Sequence, residues 1–206
     1  MYVNKTIKSF LEDTSSKHPL VPSGGSVLAL CAALSAALAE LVANTTIDKK
    51  GYERVQDLMI KLSKMAEDYR NIFVREIDND ANVYSQVVQA YKMSKSKENE
   101  KLLRETTIDE NLKKAALVPL ELAQNTLELL EIIKVLMKNG NKNAIGDAKA
   151  AYIISKAVVE ASINNVEINC SLIKDKDFVD ETLRRVREVE SRLNDNRSVF
   201  SNTKSS

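Results

Sequence analysis

Residues that stop a helix are scarce in this chain. Its 206 residues include 5 Gly and 3 Pro, and from Tyr52 to Asn139 the one residue of either kind is Pro119. A sandwich or barrel needs a turn roughly every 8–12 residues, and the sequence has nowhere to put them. The chain therefore reads as all-α: a helical bundle with long antiparallel helices, in a single domain over residues 1–200. The Ser- and Asn-rich stretch 201–206 reads as a disordered tail.

Apolar periodicity places the helices. Residues 3–17 are expected to form a short amphipathic helix with Ile7, Phe10 and Leu11 on one face. After the loop His18–Ser23, a second helix is expected over 26–47, with Ser26 at its N-terminus. Its alanine-rich sequence, SVLALCAALSAALAELVANT, should be buried on nearly all sides, against this chain or a partner subunit. The turn Asp48-Lys49-Lys50-Gly51 leads into a long helix from Tyr52 to about Met93. Its stripe is Tyr52, Val55, Met59, Leu62, Ala66, Tyr69, Phe73, Ile77, Tyr84 and Val88. Ser94–Glu100 reads as a lysine-rich loop. The next helical region runs to about Asn139, with Pro119 expected to kink or restart it and Gly140 able to close it. A helix over 147–170 should face inward through Ala150, Ile154, Val158, Ala161, Asn165 and Ile168. A last amphipathic helix runs from about Asp175 to Asp195.

Several function classes are disfavoured. The net charge is +1, and aromatic and basic residues do not interleave as on a base-stacking surface, so no nucleic-acid partner is expected. His18 is the one histidine, which excludes any site with two His ligands and argues against a Ser-His nucleophile. Cys31 and Cys170 stand far apart in apolar helical stretches, where a free cysteine behaves as a small core residue. No metal site is expected. Val27–Ala39 is apolar but short, and Glu40 ends it, so it reads as a core helix and no membrane partner is expected. The polar N-terminus lacks the apolar segment of a signal peptide, and a cytoplasmic location is expected. Chemistry is left to carboxylates, amides, hydroxyls, lysines and backbone groups.

Three places break the apolar pattern with polar residues. In Pro22-Ser23-Gly24-Gly25-Ser26, glycines at a helix start leave backbone N–H groups open to an anion; taken alone, an ordinary glycine turn with a serine cap is the simpler explanation. In Asp78-Asn79-Asp80, residues two apart point to nearly opposite sides of a helix, so the aspartates cannot pair. Asp80 fills the gap in the stripe between Ile77 and Tyr84, and a carboxylate there must be paired, protonated or facing a cavity. Asn165 and Asn169 share a face at spacing i, i+4, where interhelical bonding and ligand contact are both open. The run Lys92, Lys95, Lys97, Lys101 reads as a solvated face or a basic rim, and Tyr69, Tyr84 and Tyr91 as core residues with hydroxyls reaching an edge.

Taken in order, these segments resemble the formimidoyltetrahydrofolate cyclodeaminase and methenyltetrahydrofolate cyclohydrolase family from about Thr6 to Leu193. The similar stretches are Pro22-Ser23-Gly24-Gly25-Ser26-Val27 with its alanine-rich helix, Val42-Ala43-Asn44-Thr45-Thr46, Lys49-Lys50-Gly51-Tyr52 and Asp78-Asn79-Asp80-Ala81 with Tyr84. Further along come Lys92-Met93-Ser94-Lys95, Val118-Pro119-Leu120, Gly140-Asn141-Lys142-Asn143 with Asp147, and Asn165-Val166-Glu167-Ile168-Asn169. Ser23, Ser94 and Gly146 depart from a glycine, a proline and a serine usual in the family. The resemblance implies an all-helical fold, usually homodimeric, with a folate site near the subunit interface. It implies hydrolysis of 5,10-methenyltetrahydrofolate to 10-formyltetrahydrofolate, or alternatively ring closure of the formimidoyl form with loss of ammonia. No tightly bound cofactor or metal is implied; the tetrahydrofolate derivative is the substrate. On this reading Asp80 is the general acid/base, with Asp78 and Asp147 as further candidates. Ser23, Gly24, Gly25 and Ser26 would meet the ligand through backbone and hydroxyl groups, Asn165 and Asn169 the pterin edge, and Lys95 the glutamate tail. A non-catalytic helical oligomerisation protein is the remaining alternative.

Overall fold

The computed structural model describes residues 1–17 and 21–195. Six α-helices account for most of them: α1 (Ile7–Ser15), α2 (Gly24–Asn44), α3 (Gln56–Lys92), α4 (Glu98–Asn139), α5 (Ile145–Cys170) and α6 (Lys176–Asp195). The tail 201–206 lies outside the described residues. At 1.5 Å per residue, α3 and α4 are each about 55–65 Å long. Helices α2, α3, α4 and α5 form a closed ring of contacts, each packed on two neighbours, and α6 lies across α4 and α5.

Alanine makes the ring tight. Ala29, Ala32, Ala33, Ala36, Ala39 and Ala43 of α2 are buried, and side chains this small let α3 and α5 approach from both sides. Bulk comes from the other helices, with Met59 and Phe73 of α3, Leu120, Leu127, Leu130 and Ile133 of α4, and Val158 and Val159 of α5 almost wholly buried. Each such side chain contributes on the order of 1.5–3 kcal/mol by leaving water. Ser35 of α2 donates to the Ala151 carbonyl at 2.7 Å and lies 2.5 Å from the Ser155 hydroxyl, so these two buried hydroxyls are satisfied.

Helix α2 is not enclosed all round. Leu34 and Leu41 are 54% and 45% exposed, and Leu30 and Leu38 are half-buried. Glu40 ends the apolar stretch but not the helix, as the expected span to 47 implies. The helix continues to Asn44, with Glu40 held by Arg70 of α3 at 2.8 Å. Gly24–Asn44 is thus long and apolar enough to cross a membrane by length and composition, while half of its apolar window is buried inside the protein.

Other sequence expectations shift in register. Residues 3–17 divide into a 3-10 turn at Tyr2–Asn4 and α1. Of α1's expected inner face Phe10 is buried, while Ile7 and Leu11 are 78% and 59% exposed. In α3 the stripe holds to Ile77. Beyond Asp80 the buried residues are Ala81, Val87 and Ala90, and Tyr84 is 37% exposed. The cause is packing: the N-terminus of α2 meets α3 at Asp80, and past it α3 has α4 beside it, where Asn111 bonds the Gln86 carbonyl at 3.3 Å. In α5 the buried face is Ala148, Ala151, Ser155, Val158, Ser162 and Val166. It is rotated about one residue from the expected stripe, and Ile168 is 62% exposed.

Pro119 neither breaks nor restarts α4, which is continuous from Glu98 to Asn139. A proline has no N–H for the carbonyl four residues back. That carbonyl, of Ala115, accepts instead from Asn169 Nδ2 at 2.8 Å. At the other end of the bundle the loops 45–52 and 140–143 are clasped together. Asn141 N–H donates to the Thr46 hydroxyl at 2.8 Å, Asn141 Nδ2 to the Thr45 carbonyl at 3.1 Å, and Lys142 N–H to the Tyr52 hydroxyl at 2.9 Å. Gly140 closes α4 with an ordinary φ of −77°. Its need for glycine is steric, since a Cβ would lie 2.6 Å from the Leu136 carbonyl oxygen and 2.9 Å from Val42 Cγ1.

Candidate functional site

Four helices converge on one cleft of about 160 Å³. The start of α2 contributes Ser23, Gly24 and Gly25, and α3 contributes Asp80 and Tyr84. Pro119 of α4 and Asn165, Ile168 and Asn169 of α5 complete the lining. Residues up to about 145 positions apart in sequence thus meet because α2 begins where α3, α4 and α5 all pass.

Helix α2 starts at Gly24, two residues earlier than expected, and Ser23 stands at its N-cap in extended conformation without a side-chain cap bond. The cap comes from another helix. The Asp80 carboxylate accepts from the Ser26 hydroxyl at 2.9 Å and from the Ser26 backbone N–H. That N–H, of the third residue of α2, is one that a local N-cap side chain would satisfy, and the positive end of α2 favours the negative charge. The glycines permit it: a Cβ on Gly25 would lie 1.9 Å from Asp80 Oδ1, whereas one on Gly24 would meet nothing within 4 Å. One N–H of the helix start that the sequence leaves open to an anion, that of Ser26, therefore holds a protein carboxylate.

Burial is the largest influence on Asp80 and pushes its carboxyl above the ordinary carboxylate range, with Glu76 adding to the rise; the Ser26 hydroxyl and N–H pull it back without cancelling the effect. The hydroxyl reveals why a proton fits here. Ser26 Oγ lies 2.9 Å from both the Ile77 carbonyl and Asp80 Oδ2. A hydroxyl has one hydrogen and cannot donate to both. With Asp80 protonated, its own O–H donates to Ser26 Oγ and the serine serves Ile77. With Asp80 ionised, the serine turns to the carboxylate. Asp80 can thus hold or release a proton with a compensating rotation of one hydroxyl, which suits a general acid/base.

The other sequence-derived candidates divide. Asn165 faces the cleft, and Asn169 lines it while its Nδ2 is committed to Ala115. Ser26 stands behind the wall, fully buried, bonded to Asp80. Asp78 points elsewhere, accepting from the Tyr2 N–H, and its Oδ2 is buried without a hydrogen-bond partner. Asp147 lies in the first turn of α5, about 27 Å along the helix from Asn165, beside the clasped loops. Lys95 is exposed in the α3–α4 connection and does not line the cleft. Sequence reasoning missed Tyr84, read as core, Pro119, read as a kink or restart of the helix, and Ile168, read as part of the inward stripe. All three stand in the cleft wall. Among the described residues no cluster of three or more His, Cys, Asp or Glu could hold a metal ion.

The fold is an all-helical domain in which a partly buried carboxylate caps a neighbouring helix beside a small cleft, an arrangement chemically able to exchange a proton with a bound molecule. Residues 6–188 match the sequence profile of the family described as Formiminotransferase-cyclodeaminase, and the chain belongs to that family. Methenyltetrahydrofolate cyclohydrolase of Methylorubrum extorquens is 32% identical over 190 residues, covering 92% of this chain and 89% of that protein. Formimidoyltransferase-cyclodeaminase of Rattus norvegicus is 27% identical over 187 residues, and this chain spans 34% of its length. A crystal structure of formiminotetrahydrofolate cyclodeaminase from Thermotoga maritima superposes with a TM-score of 0.83 at 31% identity, covering 93% of this chain and 91% of that one.

Proposed function

We propose that this protein is a folate-dependent one-carbon enzyme that hydrolyses 5,10-methenyltetrahydrofolate to 10-formyltetrahydrofolate. The observation that carries the reading is Asp80: a carboxyl of raised proton affinity, facing a cleft, in a chain similar over nearly its whole length to a methenyltetrahydrofolate cyclohydrolase. Water adds to the carbon that bridges N5 and N10, and Asp80 takes one of its protons. The resulting tetrahedral carbon collapses with cleavage of its bond to N5, which receives that proton from Asp80. The water oxygen becomes the formyl oxygen and its second proton leaves to solvent, so a cation and water give a neutral product and one proton. The substrate's positive charge beside Asp80 favours the ionised carboxylate needed for the first step. No cofactor is required beyond the tetrahydrofolate substrate. Loss of the near-ultraviolet absorbance of the methenyl substrate, faster with protein than without, tests the reaction; no acceleration overturns it.

A second reading is supported by the likeness to the Thermotoga maritima cyclodeaminase. The second nitrogen attacks the carbon of the protonated formimidoyl group and gives its own proton to Asp80. The tetrahedral centre then expels its amino group as ammonia with that proton returned from Asp80, so a cation gives a cation and ammonia. Growth of the methenyl absorbance from the formimidoyl substrate, with ammonia release, separates the two.

We also propose a homodimer. Its support is the outward face of α2, where Leu34 and Leu41 are 54% and 45% exposed and Leu30 and Leu38 half-buried, opposite an inner face rich in buried alanine. Exposed apolar surface of this kind marks association. Light scattering on the wild type and on Leu34→Lys with Leu41→Lys reads it: a dimer that the pair of lysines dissociates is expected, and a wild-type monomer refutes it.

A further inference from the structure

The Asp80 cleft, at about 160 Å³, is too small for a whole folate, since small-molecule sites ordinarily enclose roughly 300 Å³ or more. A second cleft of about 230 Å³ adjoins it, lined by Tyr91, Arg104, Leu112 and Leu172 among others. The two follow one groove. Tyr84 and Tyr91 are seven residues apart on α3, as are Leu112 and Pro119 on α4, while Ile168 stands in the last turn of α5 and Leu172 in the turn just after it. Such seven-residue spacings keep a common face, and two turns of helix separate the clefts by about 10 Å. Cross-links fix the register along this stretch: Asn169 to the Ala115 carbonyl at 2.8 Å, Asn111 to the Gln86 carbonyl at 3.3 Å, and the Lys174 N–H to Asp109 at 3.2 Å. The groove is open to solvent, with Tyr91, Ile168 and Leu172 47%, 62% and 54% exposed, and the charged side chains Arg104, Glu105, Asp109 and Lys174 join the apolar ones in lining its second cleft.

Arg104 stands at the far end. Its guanidinium lies over the Tyr91 ring, 5.8 Å from the centroid, and Nη2 donates to the Tyr91 carbonyl at 3.1 Å. Nε is buried with no hydrogen-bond partner, and among the described residues Arg104 has no ion pair. The neighbouring carboxylates are already engaged: Glu105 with Lys174 at 3.3 Å and Asp109 with Lys113 at 3.0 Å. A partly buried arginine without a counter-ion, beside aromatic and aliphatic walls, is suited to a carboxylate carried on an aromatic amide.

We propose that this second cleft takes the p-aminobenzoyl-glutamate end of the substrate whose one-carbon bridge sits at Asp80, with Arg104 receiving a glutamate carboxylate. The inference rests on the folate reading above. From the aniline nitrogen to the glutamate Cα is roughly 8 Å, counting covalent bonds of ordinary length, which matches the spacing of the clefts. Arg104 takes the role that the sequence pattern suggested for Lys95.

The test compares wild type with Arg104→Ala and Arg104→Gln, the latter keeping a donor for the Tyr91 carbonyl. KM is measured for 5,10-methenyltetrahydrofolate and for the methenyltetrahydropteroate that lacks glutamate. A rise of about tenfold or more is expected for the glutamate-bearing substrate in both variants, since a charge-assisted bond is lost, while the truncated substrate gives one KM in all three proteins. Equal effects on both substrates, or none, overturn the proposal. Calorimetric titration with p-aminobenzoyl-glutamate reads the cleft without turnover. Binding to wild type but not to Arg104→Gln supports the cleft even if no folate is converted, in which case the reaction reading alone falls. Wild-type turnover without binding of this probe sinks the cleft alone.

Discussion

Gly25→Ala is the substitution in which the geometry speaks most clearly. The added Cβ would lie 1.9 Å from Asp80 Oδ1, 2.5 Å from Cγ and 2.8 Å from Oδ2, so the whole carboxylate must move. It then loses its bonds from the Ser26 hydroxyl and N–H. Hydrogen bonds to a charged group are worth about 1.5–3 kcal/mol each. Most of that returns, because a displaced Asp80 regains water and Ala exceeds Gly in helix propensity by up to about 1 kcal/mol. Stability is expected to change by no more than about 2 kcal/mol, while kcat falls by roughly 10²–10⁴-fold, the usual contribution of a positioned acid/base group. Thermal unfolding followed by circular dichroism reads the first quantity, and methenyltetrahydrofolate absorbance the second. Gly24→Ala is the control for stability, as its Cβ meets nothing within 4 Å, and its melting temperature should match wild type. A folded Gly25→Ala protein with wild-type kcat would refute the claim that Asp80 works where α2 holds it.

Asp80→Asn should raise stability at neutral pH. A carboxyl whose folded proton affinity is raised contributes stability below its unfolded pKa and loses it as pH rises through the folded value. The gain over wild type should therefore fade as pH falls below about 4; a gain that grows in acid contradicts the sign. Ser26→Ala removes the largest influence holding the Asp80 pKa down, so the acidic limb of the kcat/KM profile should move to higher pH. An unmoved limb would show that Asp80 does not govern that profile. Asn169→Ala leaves the Ala115 carbonyl without its partner, costing about 1–3 kcal/mol in denaturant unfolding. Adding Pro119→Ala should restore much of the loss, since the new N–H reaches that carbonyl; additive losses in the double variant would show that the two residues are not coupled.

Sequence pattern located the centre of the site better than its walls. Asp80 was legible because a carboxylate interrupts an apolar stripe, and Gly24, Gly25 and Ser26 because glycines precede a helix. The purpose of the glycines was not legible: the anion they admit belongs to α3, and no local spacing reveals a cap supplied from 54 residues away. Tyr84 was misread as core because extrapolating the stripe assumes the same neighbour along the whole helix. Helix α3 changes neighbours at Asp80, where α2 begins. The α5 stripe failed for a different reason. That helix carries alanine on several sides, at Ala148, Ala150, Ala151, Ala157 and Ala161, and its buried face includes the polar Ser155 and Ser162, so periodicity scarcely distinguishes that face from the Ala150 and Ile154 face. Pro119 was read for what it breaks, whereas its effect is to free a carbonyl that Asn169 takes, joining α4 to α5 at the cleft.

The account turns on Asp80 as the group that moves the proton. The most direct measurement is the rate of loss of 5,10-methenyltetrahydrofolate absorbance with wild type and with Asp80→Asn, both verified as folded. Acceleration by wild type, reduced at least roughly 10²-fold in the variant, is the predicted result. Equal rates in the two proteins would contradict it.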